Sequence, residues 1–312
     1  MRTKLGRCLS TQRRAEVLLL LVTLIWGSTF IITKSLVGNN SPLFYTAIRF
    51  FLSALILFVL FPGRLTKIPV SALRRGSILG LFLFIGFAAQ TVGIQYTTAS
   101  KSAFFTGMLT VLTPIVHFVV QRFTHVGRKA LKLGNAVGVV FAGLGLYLLT
   151  SPSGSGFNAG DALTLVCALF FACYIVYLDL VSDEPDKVQL TFVQFLFCGA
   201  AGLVFAIPFE HVRVTFSSGY VLSLLYLTLF ATVIAMWVQN RFQGHTTPTR
   251  AAVIFAMEPV IAACFAYLVA GELIGFAGVC GGAMILAGLM FSEFSDEIPG
   301  LNRTVAGERR NG

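Results

Sequence analysis

Long apolar stretches of about 20 residues follow one another along nearly the whole chain, separated by short polar connections. A helix needs about 20 apolar residues to cross the hydrocarbon core of a bilayer, so each stretch predicts a membrane-spanning helix. The connections are too short to hold a separate soluble domain. The predicted helices cover residues 15–36, 42–62, 76–95, 100–121, 131–150, 161–181, 188–208, 218–240, 247–269 and 273–292.

The pattern of the first half recurs in the second half at a constant shift of 145 residues. This shift places Pro114 on Pro259 without a gap, each inside a predicted helix. It also aligns Glu16 with Asp161, Trp26 with Phe171, and Arg49 with Gln194. One shift that aligns several separate segments indicates a duplicated unit of five helices. We predict a first repeat at residues 15–150, an external linker at 151–160 and a second repeat at 161–292.

Basic residues are distributed unevenly over the connections. All but four of the 23 Lys and Arg residues fall in the terminal segments 1–14 and 293–312, in alternate connections or at the helix ends that adjoin them, which places this side and both termini in the cytoplasm. A unit of five helices ends on the side opposite to its start, so its second copy must be inserted upside down. The predicted fold is therefore an all-α integral membrane protein with ten transmembrane helices in two inverted five-helix repeats.

The composition agrees with a membrane protein and excludes several functions. The chain is 56% hydrophobic and 12% charged, with a mean hydropathy of +0.83, whereas soluble domains carry about 25% charged residues. Its net charge of +10 follows from membrane orientation, so no nucleic-acid partner is expected. The cysteines and histidines show no metal-ligand spacing, and no nucleophile–base motif is present. We expect neither a metal, nor a cofactor, nor an enzymatic activity.

A series of short motifs stands in order along the predicted repeats: Trp26-Gly27-Ser28-Thr29-Phe30, Pro42 with Arg49-Phe50, Pro114, Glu258-Pro259-Val260, and Gly271-Glu272. Together, over about residues 15–292, they resemble the EamA-type members of the drug/metabolite transporter superfamily. The resemblance implies a carrier of small solutes, often an exporter, that works by alternating access. It leaves the substrate open, because the superfamily carries amino acids, nucleotide sugars, other metabolites and xenobiotics.

Two charged residues are predicted to lie at membrane depth. Glu258 precedes Pro259 in the ninth helix, and an ionisable group there is a functional-site candidate. A medium of low dielectric favours the neutral carboxyl, so Glu258 could exchange a proton during transport; a structural, hydrogen-bonded carboxylate is the alternative. Arg49, about 10 Å inside the second helix, could contact an anionic substrate, pair with Glu258 or extend toward the headgroups.

Further candidates come from polar, aromatic and proline residues. Pro114 and Pro259 are candidate hinges, because proline removes a helix hydrogen bond. Lys101 is either an anion contact at the outer mouth or a solvated lysine at a helix end, the second being preferred. Tyr96 and Trp237 also fit an interfacial aromatic belt, and Trp26 and Tyr174 also fit plain packing. Gln90 fits either a cavity wall or an interhelical hydrogen bond, and Thr106 also fits a bond to the backbone of its own helix. The substrate-binding candidates are Trp26, Arg49, Gln90, Tyr96, Lys101, Thr106, Tyr174, Trp237 and Asn240.

These observations predict a secondary transporter for a small metabolite or xenobiotic in the cell inner membrane, acting in efflux and with proton coupling through Glu258. A channel or a lipid-translocating protein is the alternative function. The glycine steps Gly134–Gly138 and Gly278–Gly282 allow close helix packing, either within the chain or in a homodimer, the first being preferred.

Overall fold

The computed structural model describes residues 2–124, 133–150, 157–255, 257–271 and 275–294. The regular elements in this part of the chain are all helical. They are α1 (Arg2–Val37), α2 (Pro42–Leu60), α3 (Pro62–Leu65), α4 (Val70–Tyr96), α5 (Ala99–Gly107), α6 (Leu109–Thr124), α7 (Leu133–Thr150), α8 (Ala159–Leu180), α9 (Lys187–Phe209), α10 (Ser218–Thr228), α11 (Ala235–Phe242), α12 (Pro248–Phe255), α13 (Glu258–Ala270) and α14 (Phe276–Phe294), with a π-helical turn at Leu229–Ile234 and a 3₁₀ turn at Gln243–His245.

By length and apolar composition, 7 helical stretches of the described chain can each cross a membrane. The stretches are Thr11–Val37, Pro42–Leu60, Val70–Tyr96, Ala99–Phe123, Ala159–Leu180, Lys187–Phe209 and Ser218–His245, and shorter apolar helices cover Glu258–Val269 and Phe276–Gly288. The chain is therefore an all-helical, multi-pass membrane protein. The count of ten crossings and the inverted relation of the repeats stay predictions.

The outer surface of the bundle is apolar, as a lipid-facing surface must be. Leu222, Phe205, Val59 and Leu268 are among the large apolar side chains that the fold leaves exposed. Inside the bundle, Phe50 and Phe195 pack together in the largest buried cluster, with ring centroids 5.7 Å apart. Apolar side chains thus face both outward and inward in the bundle.

Three helices differ from the expected continuous rods. The basic segment 2–14 continues as part of α1 instead of forming a separate tail. The predicted fourth helix is broken at Met108, between α5 and α6, and the predicted ninth helix is broken between α12 and α13. Pro259 stands at the start of α13, whereas Pro114 lies inside α6, beyond the break. The two breaks therefore do not fall on equivalent residues.

Polar side chains fix where several helices begin. Asn158 and Asp161 form a reciprocal capping box at the start of α8, and Asp186 accepts from two backbone N–H groups at the start of α9. Such caps satisfy donors that a helix start leaves unpaired. At the other end of α13, Gly271 adopts a left-handed conformation with φ +63°, which favours glycine.

The first helix of each predicted repeat packs against the third helix of the other. On one side, the Trp26 ring nitrogen of α1 donates to the carbonyl of Ala231, 2.9 Å away. On the other side, the Phe171 ring of α8 packs directly on Gly86 of α4, where a methyl group would come within 2.3 Å of the ring. The shift of 145 residues aligns Trp26 with Phe171 and also Gly86 with Ala231. Equivalent residues thus make equivalent contacts.

Helices α7 and α14 pack against each other along much of their length. At their closest approach, a methyl group on Gly145 would lie 2.5 Å from the carbonyl oxygen of Gly281 and 2.9 Å from the backbone nitrogen of Ile285. Only a glycine lets the two backbones come so near. This contact is formed within one chain; the homodimer stays a prediction.

Replacing Gly145 by alanine is expected to destabilise the bundle by about 1–3 kcal/mol, because the backbone of α14 would have to move. Gly143→Ala is the matched control on the same helix, since nothing lies within 4 Å of a methyl group there. Thermal stability in detergent, followed by size-exclusion chromatography, measures both. Equal losses for the two variants would contradict the close packing of α7 and α14.

Candidate functional site

A narrow cavity lies inside the helix bundle. Its volume is about 50 Å³, and about 10–15 Å³ holds one water molecule on this scale. Both predicted repeats contribute to its walls, which are mainly apolar and aromatic with a few polar groups. It is lined by Trp26, Thr29, Arg49, Leu83, Phe87, Gln90, Leu109, Phe171, Tyr174, Ile175, Met236, Gln239, Phe255 and Glu258.

Arg49 brings a buried positive charge to this cavity. Its Nε donates to the Thr232 hydroxyl at 2.6 Å, and its Nη1 donates to the Tyr45 hydroxyl at 3.3 Å. The guanidinium carbon also lies 4.9 Å from the centroid of the Phe87 ring, within cation–π range. The side chain is only 3% exposed, so it does not extend toward the headgroups. Neutral groups hold the guanidinium in place while it remains part of the cavity wall.

The π-helical turn at Leu229–Ile234 supplies two contacts to the site. Thr232, which receives the Arg49 bond, itself donates to the carbonyl of Leu227 five residues earlier. Ala231, in the same turn, accepts from the ring nitrogen of Trp26. The sequence pattern does not reveal Thr232 and Tyr45 as partners of Arg49. No local signal marks a π turn in this apolar segment, although such turns are frequent at functional sites.

Glu258 brings a carboxylate to the same cavity. It is 8% exposed and lies at the start of α13, directly after the break that follows α12. Among the described residues, no hydrogen-bond donor and no cation contacts its side chain, and the expected alternative of an ion pair with Arg49 is not formed. Arg49 and Glu258 therefore line one cavity as separate charges.

The two broken helices meet beside this carboxylate. Gly107 ends α5, and a methyl group on it would lie 2.6 Å from Cγ of Pro259 in α13. Contact between α5 and α13 therefore brings the break at Met108 close to Glu258. The hinge role of Pro114 and Pro259 stays a prediction.

A network of hydroxyl and amide groups extends from the cavity wall at Tyr174. The Tyr174 hydroxyl lies 3.1 Å from Gln194 Oε1 and 2.8 Å from Asn240 Oδ1. Asn240 in turn donates to the Thr191 hydroxyl at 2.7 Å. Gln194 occupies the position equivalent to Arg49 in the second predicted repeat, so a neutral amide replaces the guanidinium at that position.

Two glutamines complete the polar lining. Gln90 donates to the Thr106 hydroxyl at 3.3 Å, which gives it both of the roles considered for it, an interhelical bond and a place in the wall. Gln239 donates to Gln243, while its buried Oε1 has no hydrogen-bond partner among the described residues. An unpaired buried acceptor in a cavity wall is suited to receive a donor from a bound molecule.

Five of the nine substrate-binding candidates do not line the cavity. Two of them, Thr106 and Asn240, are hydrogen-bonded to residues of the wall, and the other three are Tyr96, Trp237 and Lys101. Tyr96 is 63% exposed and lines a separate groove at the end of α4. Trp237 is half-buried but does not line the cavity. Lys101 is buried and lies 3.8 Å from a carboxylate oxygen of Asp161, so the expectation of a solvated lysine is wrong. The start of α8 covers Lys101, a tertiary contact that its position in the sequence does not reveal.

The fold and site together define the class of protein: a multi-pass helical membrane protein with an internal cavity lined by an arginine and a carboxylate. The model of the EamA-like transporter family matches this chain twice, over residues 13–151 and 158–294. The chain belongs to the EamA-like transporter family.

Individual relatives extend this comparison. An uncharacterized transporter of Archaeoglobus fulgidus is 33% identical over 272 residues, which cover 87% of this chain and 83% of the relative. A probable amino-acid metabolite efflux pump of Escherichia coli is 27% identical over 307 residues, covering 90% of this chain and 95% of the pump. A protein of known crystal structure shares the fold with a TM-score of 0.68 and 17% identity, over 90% of this chain and 96% of that one.

Proposed function

We propose that this protein is a secondary carrier that exports a small metabolite or xenobiotic across the cell inner membrane by alternating access. The observation that carries the proposal is the central cavity, where Arg49 and Glu258 stand apart among aromatic walls. Buried charges are costly, and charges at membrane depth are characteristic of solute and ion pathways. Membership of a transporter family supports the same activity.

The mechanism we propose is rocking of two inverted five-helix repeats, 15–150 and 161–292, around this cavity. Two lines of support are the double match to the family model and the equivalent contacts of Trp26 and Phe171. The uneven distribution of Lys and Arg supports an orientation with both termini in the cytoplasm. Inverted repeats of this kind place a shared binding site near the membrane midplane.

A substrate with both a carboxylate and an amine would suit this cavity. Arg49 offers a donor to an anionic group, while Glu258 and Gln239 Oε1 offer acceptors to an amine. The Escherichia coli relative is named a probable amino-acid metabolite efflux pump, which supports the same chemistry. We therefore propose an amino acid or a closely related metabolite as the substrate, and proton exchange at Glu258 as the source of energy.

Counterflow in proteoliposomes tests the carrier activity. Vesicles loaded with a mixture of unlabelled amino acids are diluted into a trace of one labelled amino acid, and a carrier produces a transient, saturable accumulation of label. Vesicles prepared without the protein are the control. Flux without saturation or counterflow would identify a channel, and equilibration of a labelled lipid between leaflets would identify a lipid-translocating protein; either result overturns the proposal.

A further inference from the structure

Two carboxylates occupy equivalent places at opposite ends of the bundle. Glu16 lies near the start of the membrane-spanning part of α1, and Asp161 lies in the first turn of α8. The shift of 145 residues places one on the other. The end of α1 approaches the turn that follows α4, where Lys34 donates to the carbonyl of Thr97, so Glu16 lies on the face opposite to this turn.

Asp161 binds the segment that begins the fourth predicted helix of the other repeat. One of its carboxylate oxygens accepts from the Thr97 hydroxyl at 2.6 Å, and the other lies 3.8 Å from Lys101 Nζ. The Asp161 and Lys101 side chains are 1% and 7% exposed. We call Asp161, Thr97 and Lys101 the outer latch, after the side on which the proposed orientation places them.

Glu16 makes the corresponding connection on the other face. Its Oε1 lies 3.4 Å from Arg250 Nη1 and 3.4 Å from the Thr246 hydroxyl, at the start of the ninth predicted helix. The same shift places Lys101 on Thr246, and Arg250 follows one helical turn later. Glu16 and Arg250 are 28% and 34% exposed. We call Glu16, Thr246 and Arg250 the inner latch.

Each latch therefore ties the first helix of one repeat to the start of a broken helix of the other. The outer latch holds the start of α5, whose far end contacts Pro259, and the inner latch holds the start of α12, which leads to Glu258. Movement of α5 away from α8, or of α12 away from α1, would separate the two charges of the corresponding latch. Both latches are closed in this structure, in agreement with the narrow cavity.

We infer that these two ion pairs control which mouth of the carrier opens, and that the empty carrier opens more readily toward the cytoplasm. The asymmetry follows from burial, because a buried pair that is separated leaves uncompensated charges, whereas water screens a partly exposed pair. A carrier that rests open to the cytoplasm is ready to load solute for export. The inference rests on the proposed alternating access.

Accessibility of one cysteine in the cavity wall tests the inference in the full chain. Thr29→Cys is treated with a membrane-impermeant maleimide, from outside in intact cells and from the cytoplasmic face in inside-out vesicles. The protein that retains Thr29 is labelled in parallel, and its signal is subtracted to correct for labelling of the native cysteines. Counterflow of labelled amino acids is measured on the same preparations.

Loss of the outer latch is expected to raise the labelling rate of the reporter cysteine from outside, and loss of the inner latch to raise it from the cytoplasmic face. Lys101→Met should raise the rate from outside by about tenfold or more, whereas Lys101→Arg keeps the charge and should leave it low. Arg250→Gln should raise the rate from the cytoplasmic face by about two- to fivefold, and Arg250→Lys should not. Asp161→Asn serves as a second outer variant if Lys101→Met does not yield folded protein.

The possible results separate the two proposals. Absence of counterflow in the protein with intact latches would overturn alternating access, and the latch inference with it. Equal labelling of the reporter from both faces in that protein would contradict the proposed resting state. If counterflow is intact and the reporter cysteine is labelled faster from the cytoplasmic face, the carrier proposal stands. Unchanged labelling rates in the latch variants would then contradict the latch inference alone. Greater access from outside than from the cytoplasm before any latch is changed would contradict the proposed resting state.

Discussion

Replacing Glu258 by glutamine is expected to abolish transport driven by a pH gradient, so that the substrate only equilibrates across the membrane. The reason is that the carboxyl faces the cavity and no described cation or donor satisfies it, which suits it to carry a proton between the two openings. Glutamine has nearly the same shape but cannot take up or release a proton. Counterflow at equal pH on both sides should continue, since exchange moves no net protons.

The measurement compares substrate accumulation in proteoliposomes with and without an imposed pH gradient. Glu210→Gln is the matched control, because Glu210 is a carboxylate outside the cavity that accepts from the backbone N–H groups of Leu43 and Phe44 at the start of α2. This control should retain gradient-driven accumulation. If the Glu258 variant also retains it, proton coupling does not depend on Glu258.

Replacing Arg49 by glutamine is expected to weaken binding of a carboxylate-bearing substrate by about ten- to hundredfold. A hydrogen bond to a charged group contributes about 1.5–3 kcal/mol, and each 1.4 kcal/mol is about tenfold in affinity. Glutamine is a suitable replacement because the second predicted repeat has Gln194 at the equivalent position. Its amide can still bond to Thr232, so the folded bundle should be retained.

Competition of unlabelled compounds against counterflow measures this loss. An amino acid should compete less well in the Arg49 variant, whereas the corresponding amine without the carboxylate should compete equally in both proteins. Arg213→Gln is the control, since this exposed arginine lies outside the cavity, in the groove beside Tyr96. An equal loss for the amine and the amino acid would show that Arg49 acts through structure and not through the carboxylate.

The polar residues of the site were predictable individually, but their arrangement was not. A charge inside an apolar helix is visible in the sequence, which is why Arg49 and Glu258 could be selected. Their partners were not visible: Arg49 bonds to Thr232, 183 residues away, through a π turn that no local pattern marks. An ion pair between the two charges was an equally reasonable expectation that the geometry does not support.

Lys101 illustrates the same limit. A lysine at a helix start beside a polar connection is usually solvated, and the neighbouring sequence offers it no acid. The acid is Asp161, which α8 brings into contact from the other half of the chain. Burial and charge pairing here depend on which helices are neighbours, and neighbouring helices need not be close in sequence.

The sequence alone determined the membrane-spanning character, the approximate helix positions and the register of the duplication. These features can be read along the linear sequence, because a bilayer imposes a fixed length on each apolar segment and a duplication leaves a constant shift. Only the tertiary structure decided which polar groups share the cavity, where the fourth and ninth helices break, and which carboxylates tie the two halves together. Those features arise from packing between distant segments, where a single buried contact settles whether a charge is paired, enclosed or exposed to solute.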